Sequence, residues 1–346
     1  MTKRTTRATV VAGLVAVVAL LASGCGGDDN AAGTTETTAA SGIKVGLITD
    51  LGQLNDDGFN ELAYNGLKRA EKELGIQGRV IESKSAADYV PNMTALGRQG
   101  YDLIIGIGFA QGDAIANAAR KFPDIKFAIV DVDQSFLKGK PANVQGLLFR
   151  EEQVGYLAGY LAALEAKRAG GNGISAVGGV KEPPVDRFIA GYKAGATKAV
   201  PGTAVKWDYS QDWDDQAKCK ELALNQIAAG SKVVFQVAGG CGLGALLAAK
   251  QQKVWGVGVD GDQSFLGPHV LTSALKGVDS AVFLTIEAAK DGTFTGGGNA
   301  TFGLEQDGVG LGTFSAKADK SDIEATKKIE QQIADGEIAD IPTAVG

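Results

Sequence analysis

From Ile43 onward the chain alternates two kinds of hydrophobic pattern. Short apolar runs rich in Val and Ile, bounded by Gly or Asp, occur at IKVGLIT, VIES, DLIIGIG and KFAIVD, and a fifth, NVQGLLF, ends at Phe149. Continuous apolar runs of this length predict strands buried on both faces of a parallel sheet. Between them apolar residues fall at helical spacing, predicting helices over Gly58–Leu74, Val90–Gln99 and Gly112–Phe122. In the first of these, Phe59, Leu62, Ala63, Gly66, Leu67 and Ala70 share one face.

The rhythm restarts with a helix through GYLAGYLAALEA. Strands follow at GISAVGG, AVKWDYS, KVVFQVAGG and VWGVGVD, with helices near Val185–Val200, Asp215–Ala229 and Gly242–Gln251. Strict alternation of strand and helix predicts an α/β fold of doubly wound parallel sheets. The break near Phe149–Gln153 divides it into two lobes joined by a hinge. The expected boundaries are 43–149 plus about 278–316 for lobe 1 and 150–277 for lobe 2. After Lys276 a helix over Val278–Lys290 and strands at ATFGLEQ and GVGLGTF are expected to return to lobe 1. Within 317–346 a terminal helix, Lys320–Ala334, fits either lobe, and no short repeat stands out.

The amino terminus changes the picture. Lys3, Arg4 and Arg7 precede an apolar run from Ala8 to Ala22, followed by Ser23-Gly24-Cys25. This describes a secretory signal over 1–24, and the run is shorter than the ~20 residues of a spanning helix. Leu21-Ala22-Ser23-Gly24-Cys25 resembles a bacterial lipobox, with Ala22 where Leu is usual, so Cys25 is expected to be lipidated. A plain signal peptide with an incidental cysteine is the alternative. Residues 25–42 contain almost nothing to bury and read as a flexible tether reaching roughly 20 Å. An exported domain held at the outer face of a bacterial membrane follows.

Charge and composition exclude more than they assign. Taking the three basic residues of 1–24 from 34 leaves 31 against 40 acidic ones, a net charge of about −9, which argues against nucleic acid as partner. With His269 the single histidine, a zinc site of several imidazoles is impossible and a Ser-His-Asp triad could run only through it. No metal or other cofactor is expected. Cys219, in the first turn of a helix, and Cys241, after the strand that helix leads into, should be neighbours. Export permits a disulfide between them, contributing about 3 kcal/mol by loop-closure arithmetic.

Ligands of open α/β sheets bind beyond the carboxyl ends of strands. Asp50, Asp131 and Asp260 stand there, and three carboxylates suit the hydroxyls of a polyol. Strand-end aspartates also cap helices and shape turns. The loop DLGQLNDDGFN opens a helix with Phe59 and Asn60, and in the other lobe YSQDWDD carries Trp213 at the corresponding point. Either aromatic could pack inward. If both face the crevice, two flat surfaces with carboxylates nearby suit a ring attached to a sugar, a nucleoside. The glycine-rich turns GIGFAQG and AGGCGLG lack dinucleotide and phosphate-loop spacing and serve close backbone approach or tight turning. Lys276 is a candidate hydrogen-bond donor to the ligand or a solvated lysine.

KVGLITDLGQLNDDGFNELAYNGLKRAEKELG, DLIIGIGFAQGDAI, KFAIVD, VFQVAGGCGLG and GVGVDGDQ together resemble the basic membrane protein family, lipoprotein substrate-binding subunits of ABC transporters for purine nucleosides. The resemblance runs in order from Ile43 to about Phe314. It implies a class I periplasmic-binding-protein fold that closes over a nucleoside and delivers it to a permease, without catalysis and as a monomer. It implies that Asp50 contacts the ligand, Phe59 stacks on the base with Asn60 beside it, Gly108 and Asp131 occupy binding loops, and Asp260 holds the ribose hydroxyls. Lys276 matches a polar contact. Trp213 stands where family members place a second stacking Phe, and Gly58 replaces the usual Ser. A sugar receptor on the same scaffold is the other binding reading. A nucleoside hydrolase using the aspartates with a divalent cation is the enzymatic one, although DLGQLNDDG lacks calcium-loop spacing and leaves only Asp56 and Asp57 as a metal option. A signalling role needs no different residues.

Overall fold

The computed structural model describes residues 42–346, so the signal segment, Cys25 and nearly all of the tether lie outside the described residues. The first run comprises β1 (Lys44–Ile48), α1 (Phe59–Leu74), β2 (Gln77–Ile81), α2 (Tyr89–Arg98), β3 (Leu103–Gly106), α3 (Gly112–Lys121), β4 (Lys126–Val130) and β5 (Val144–Phe149). The second comprises α4 (Glu151–Arg168), β6 (Gly173–Gly178), α5 (Pro183–Ala199), β7 (Ala204–Tyr209), α6 (Gln216–Ala228), β8 (Ser231–Val237), α7 (Gly239–Gln252), β9 (Trp255–Asp260) and β10 (Val270–Lys276). Then come α8 (Val278–Asp291), β11 (Gly298–Phe302), β12 (Val309–Leu311) and α9 (Lys320–Ala334).

Two six-stranded sheets result, ordered β11-β5-β4-β3-β1-β2 and β12-β10-β9-β8-β6-β7. All pairs are parallel except β10 with β12. β3 and most of β1 are fully buried, as their uninterrupted apolar runs require. The strand expected from GVGLGTF to return to lobe 1 instead closes the edge of the second sheet, with Ala274 opposite Leu311. The chain therefore passes between sheets three times, after β5, after β10 and after β11. All three passages lie at one edge of each sheet, and they are bonded into their surroundings: Arg150 N–H donates to Phe302 O (3.0 Å) and Gly277 N–H to Gly308 O (2.9 Å).

Helix packing fixes what borders the crevice. α4 and α5 lie backbone to backbone. A Cβ at Gly155 or Gly159 would overlap the carbonyl of Phe188 or Tyr192, and one at Gly191 or Gly195 that of Glu152 or Tyr156. The terminal helix settles on lobe 2, where Ile329 and Ile333 pack with Tyr156 and Leu157 of α4. Arg168 at the end of α4 binds Asp322 of α9 at 2.5 Å. Cys219 and Cys241 form a disulfide with Cα atoms 5.6 Å apart. Cys241 lies within the first turn of α7, so the bond staples α6 to α7 within a buried cluster with Val177 and Ala245.

Candidate functional site

One six-residue turn is used twice. β4 and β9 each run into an aspartate in left-handed backbone, Asp131 (φ 71°) and Asp260 (φ 62°). Aspartate tolerates this conformation better than most side chains. Each opens the sequence D-x-D-Q-S-F, DVDQSF at 131–136 and DGDQSF at 260–265, so the chain does contain a short repeat. In both copies the second aspartate accepts an N–H bond two residues on, Asp133 from Ser135 (2.8 Å) and Asp262 from Ser264 (3.0 Å). Both glutamines are buried: Gln134 Nε2 donates to Pro141 O (3.0 Å), and Gln263 Nε2 donates across the lobes to Asp57 O (3.3 Å).

The loop after β1 is ordered by its own polar groups. Asn60 Oδ1 accepts from Asp50 N–H (3.0 Å), and its Nδ2 donates to Leu51 O (3.4 Å), so this side chain holds the loop while bordering the crevice. Asp56 caps α1, accepting from the N–H groups of Gly58 (3.0 Å), Asn60 (3.0 Å) and Glu61 (3.2 Å). That carboxylate caps a helix whose N-cap residue, Gly58, has no side chain to do so. Asp50 accepts from the Tyr89 hydroxyl (2.6 Å) and Leu51 N–H (2.7 Å). Burial still pushes its carboxyl up to about 6, against those two bonds. Gly108 (φ 107°) sits directly on this carboxylate, where a Cβ would overlap it.

Lys276 is neither solvated nor free. It is 3% exposed, with Nζ 2.7 Å from Asp131 Oδ1 and 2.9 Å from Glu151 Oε1. The rings of Phe149, Phe59 and Phe188 surround it at 5.0, 5.1 and 5.9 Å. Burial alone would lower this ammonium, but Asp131, Glu151 and Asp260 together hold it above the usual lysine range. Glu151 is raised by burial, with Lys276 and Arg187 opposing. Asp260 is pushed up to about 7 by burial, with Lys276 opposing.

These groups converge on a cavity between the lobes, lined by residues of both. Asp50, Phe59, Asn60, Gly108, Asp131, Trp213, Asp260 and Lys276 all line it. Trp213 is held in place: the first turn of α7 donates Cys241 N–H to its carbonyl (2.8 Å), and its indole lies against Gly179, where a Cβ would overlap the ring. Among the described residues lining the cavity, five carboxylates face one cation, Lys276. Such a site repels phosphate and favours neutral or cationic donors.

Five contributors escape a reading of the sequence alone. Phe188 of α5 and Phe109 also border the cavity, so lobe 2 presents two aromatic side chains, Trp213 and Phe188. The signal for Phe188 is its place early in the first helix after β6, as Phe59 stands in the first helix after β1. Glu182, just before α5, lines the cavity and is pushed up to about 8 by burial and then by the charges of Asp50 and Asp131. Tyr89 and Glu151 carry no sequence signal of their own.

Residues 43–341 match the model of the ABC transporter substrate-binding protein PnrA-like family, and the chain belongs to that family. It is 35% identical to the ABC transporter nucleoside-binding protein BmpA of Lactococcus lactis, covering 98% of this chain and 99% of that one. It is also 35% identical to an uncharacterized lipoprotein of Pyrococcus horikoshii, over 85% of this chain and 74% of the relative. Among solved structures, an ABC transporter solute-binding protein of Aeropyrum pernix superposes with a TM-score of 0.78 at 27% identity, over 87% of this chain and 94% of the other. The chain is thus a substrate-binding protein of an ABC transporter, with two α/β lobes of the periplasmic solute-binding type.

Proposed function

We propose that this substrate-binding protein captures a purine nucleoside between its lobes and delivers it to a membrane permease. The carrying observation is the cavity itself, with Phe59 from one lobe and Trp213 and Phe188 from the other around strand-end carboxylates. A planar base fits between rings, and vicinal ribose hydroxyls fit aspartates that accept without donating. The name of the Lactococcus relative points the same way. Asp260, which accepts no hydrogen bond from the described residues, is assigned to the ribose hydroxyls. Asp131 is held by Lys276 and acts beside it.

A ligand touching both lobes stabilises the closed arrangement by the contacts that the open one lacks, which shifts the population toward the form a permease meets. The lipobox-like 21–25 and the lipoprotein relative support anchoring through Cys25 on the outer membrane face.

A thermal-shift panel tests the assignment. Inosine, guanosine or adenosine should raise the melting temperature as RT ln(1 + [L]/Kd), while free ribose and nucleoside monophosphates should not. Ribose stabilising as strongly as the nucleosides would make this a sugar receptor. Release of free base at catalytic protein concentrations would make it a hydrolase.

A further inference from the structure

Glu182, like Asp260, is a cavity carboxyl with no hydrogen bond or ion pair to the described residues. It occupies the N-cap position of α5 yet makes no capping bond, unlike Asp215 and Asp319, which cap α6 and α9. The neighbouring cations are engaged elsewhere: Lys181 binds Asp186 (2.6 Å), and Arg187 lies 3.5 Å from Glu151. What faces Glu182 is Asp50 at the end of β1, Tyr89 on α2, Asp131 at the end of β4 and, more weakly, Lys276 of β10. The Lys276 end of the cavity gathers Asp131 and Asp260. Glu182 feels the Asp50 charge most, and Asp50 carries the Tyr89 hydroxyl.

Resting on the nucleoside reading, we infer that Glu182 is a specificity-determining residue whose carboxyl group pairs with the polar six-membered edge of the purine. A neutral acid offers one O–H donor beside one C=O acceptor. A 6-oxopurine presents N1–H beside O6, and a 6-aminopurine presents N1 beside an N6–H. Either edge closes a two-bond ring with the acid. A purine with hydrogen at position 6 offers N1 alone and forfeits one bond. Ionised, the same side chain would lose its donor and clash with Asp50 and Asp131. Its protonation up to about pH 8, caused by burial and by those two charges, keeps the donor in place at neutral pH.

The test is calorimetric titration of the wild type, Glu182→Gln and Glu182→Ala with inosine, adenosine and purine riboside. At pH 6.5 the wild type should prefer inosine and adenosine over purine riboside by roughly tenfold to a hundredfold, the effect of one buried hydrogen bond and its unmet partner. Glu182→Ala should erase that ratio. Glu182→Gln, whose amide carries the same donor beside an acceptor, should keep it. Adenosine, neutral throughout, serves a second arm: from pH 6.5 to 9, where Asp260 titrates in both proteins, its affinity should fall further for the wild type than for Glu182→Gln. A wild-type ratio in Glu182→Ala, or equal pH responses in wild type and Glu182→Gln, would overturn the inference while leaving a nucleoside receptor. Failure of the wild type to bind any of the three overturns the nucleoside reading first, and this inference with it.

Discussion

Replacing Lys276 by Met tests the ion network beneath the cavity. The substitution keeps the stem that packs among Phe59, Phe149 and Phe188 and removes only the charge. Asp131 and Glu151, both buried, then lose the ammonium they share, and Glu151 keeps only Arg187 at 3.5 Å. Removing one member of a buried ion pair costs about 3–5 kcal/mol, because the other is left uncompensated. At a few degrees per kcal/mol for a chain of this size, the melting temperature should drop by on the order of 10 °C. The sign with pH is equally specific. The stranded carboxyls bind protons in the folded variant more tightly than in its unfolded chain, so the variant loses stability as pH rises above about 4. In the wild type the raised Lys276 keeps its charge, and its contribution is fully present throughout that interval. The deficit of the variant should therefore be larger at pH 8 than at pH 5, by calorimetric melting at matched ionic strength. Adding Glu151→Gln should restore part of it. Equal melting temperatures at pH 8, or a deficit that grows toward acid, would refute this account of the network.

Asp50, Asp260 and Glu182 are raised to about 6, 7 and 8. All three bind protons more tightly folded than unfolded, so the ligand-free protein should lose stability as pH rises from about 4 to 8. Removing all three carboxyls should reduce the slope of a melting-temperature profile across that interval, the remainder coming from Glu151 and other buried acids, and an unchanged slope would exclude them as a source. Gly108→Ala places a methyl group on the Asp50 carboxylate at a left-handed position, which should cost about 1–3 kcal/mol of stability and weaken nucleoside binding by titration. Reducing the Cys219–Cys241 disulfide, which joins residues 22 apart, should lower stability by about 3 kcal/mol while nucleoside affinity holds, since the bond lies between α6 and the first turn of α7 in a buried cluster and neither sulfur lines the cavity.

The two alternating runs were legible because parallel strands buried on both faces write themselves as unbroken Val and Ile stretches. β12 was not: three residues at a sheet edge, Val309–Leu311, carry no pattern that names a partner, and only the passage after β11 brings them to β10. Asp50, Asp131 and Asp260 could be placed from strand polarity alone. Their partners could not, because Glu151 is 125 residues before Lys276 and reads as an ordinary acid in a helix's first turn. Trp213 stood out as a tryptophan among aspartates, whereas Phe188 sits on a helix where an inward aromatic is the common case. The repeated D-x-D-Q-S-F was within reach, but the copies lie 129 positions apart and only strand alignment gives them a shared meaning.

Having all three passages at the same edge of the sheets has a mechanical outcome. Parallel straps along one side resist shear and twist yet bend together, so opening becomes a swing about a fixed line beside β5 and β10, like a book about its spine. Travel then grows with distance from that spine and is greatest at β2 and β7, the outer strands. Fluorophores on those two strands would track nearly the whole excursion with one distance, while a pair near β11 and β12 would barely move.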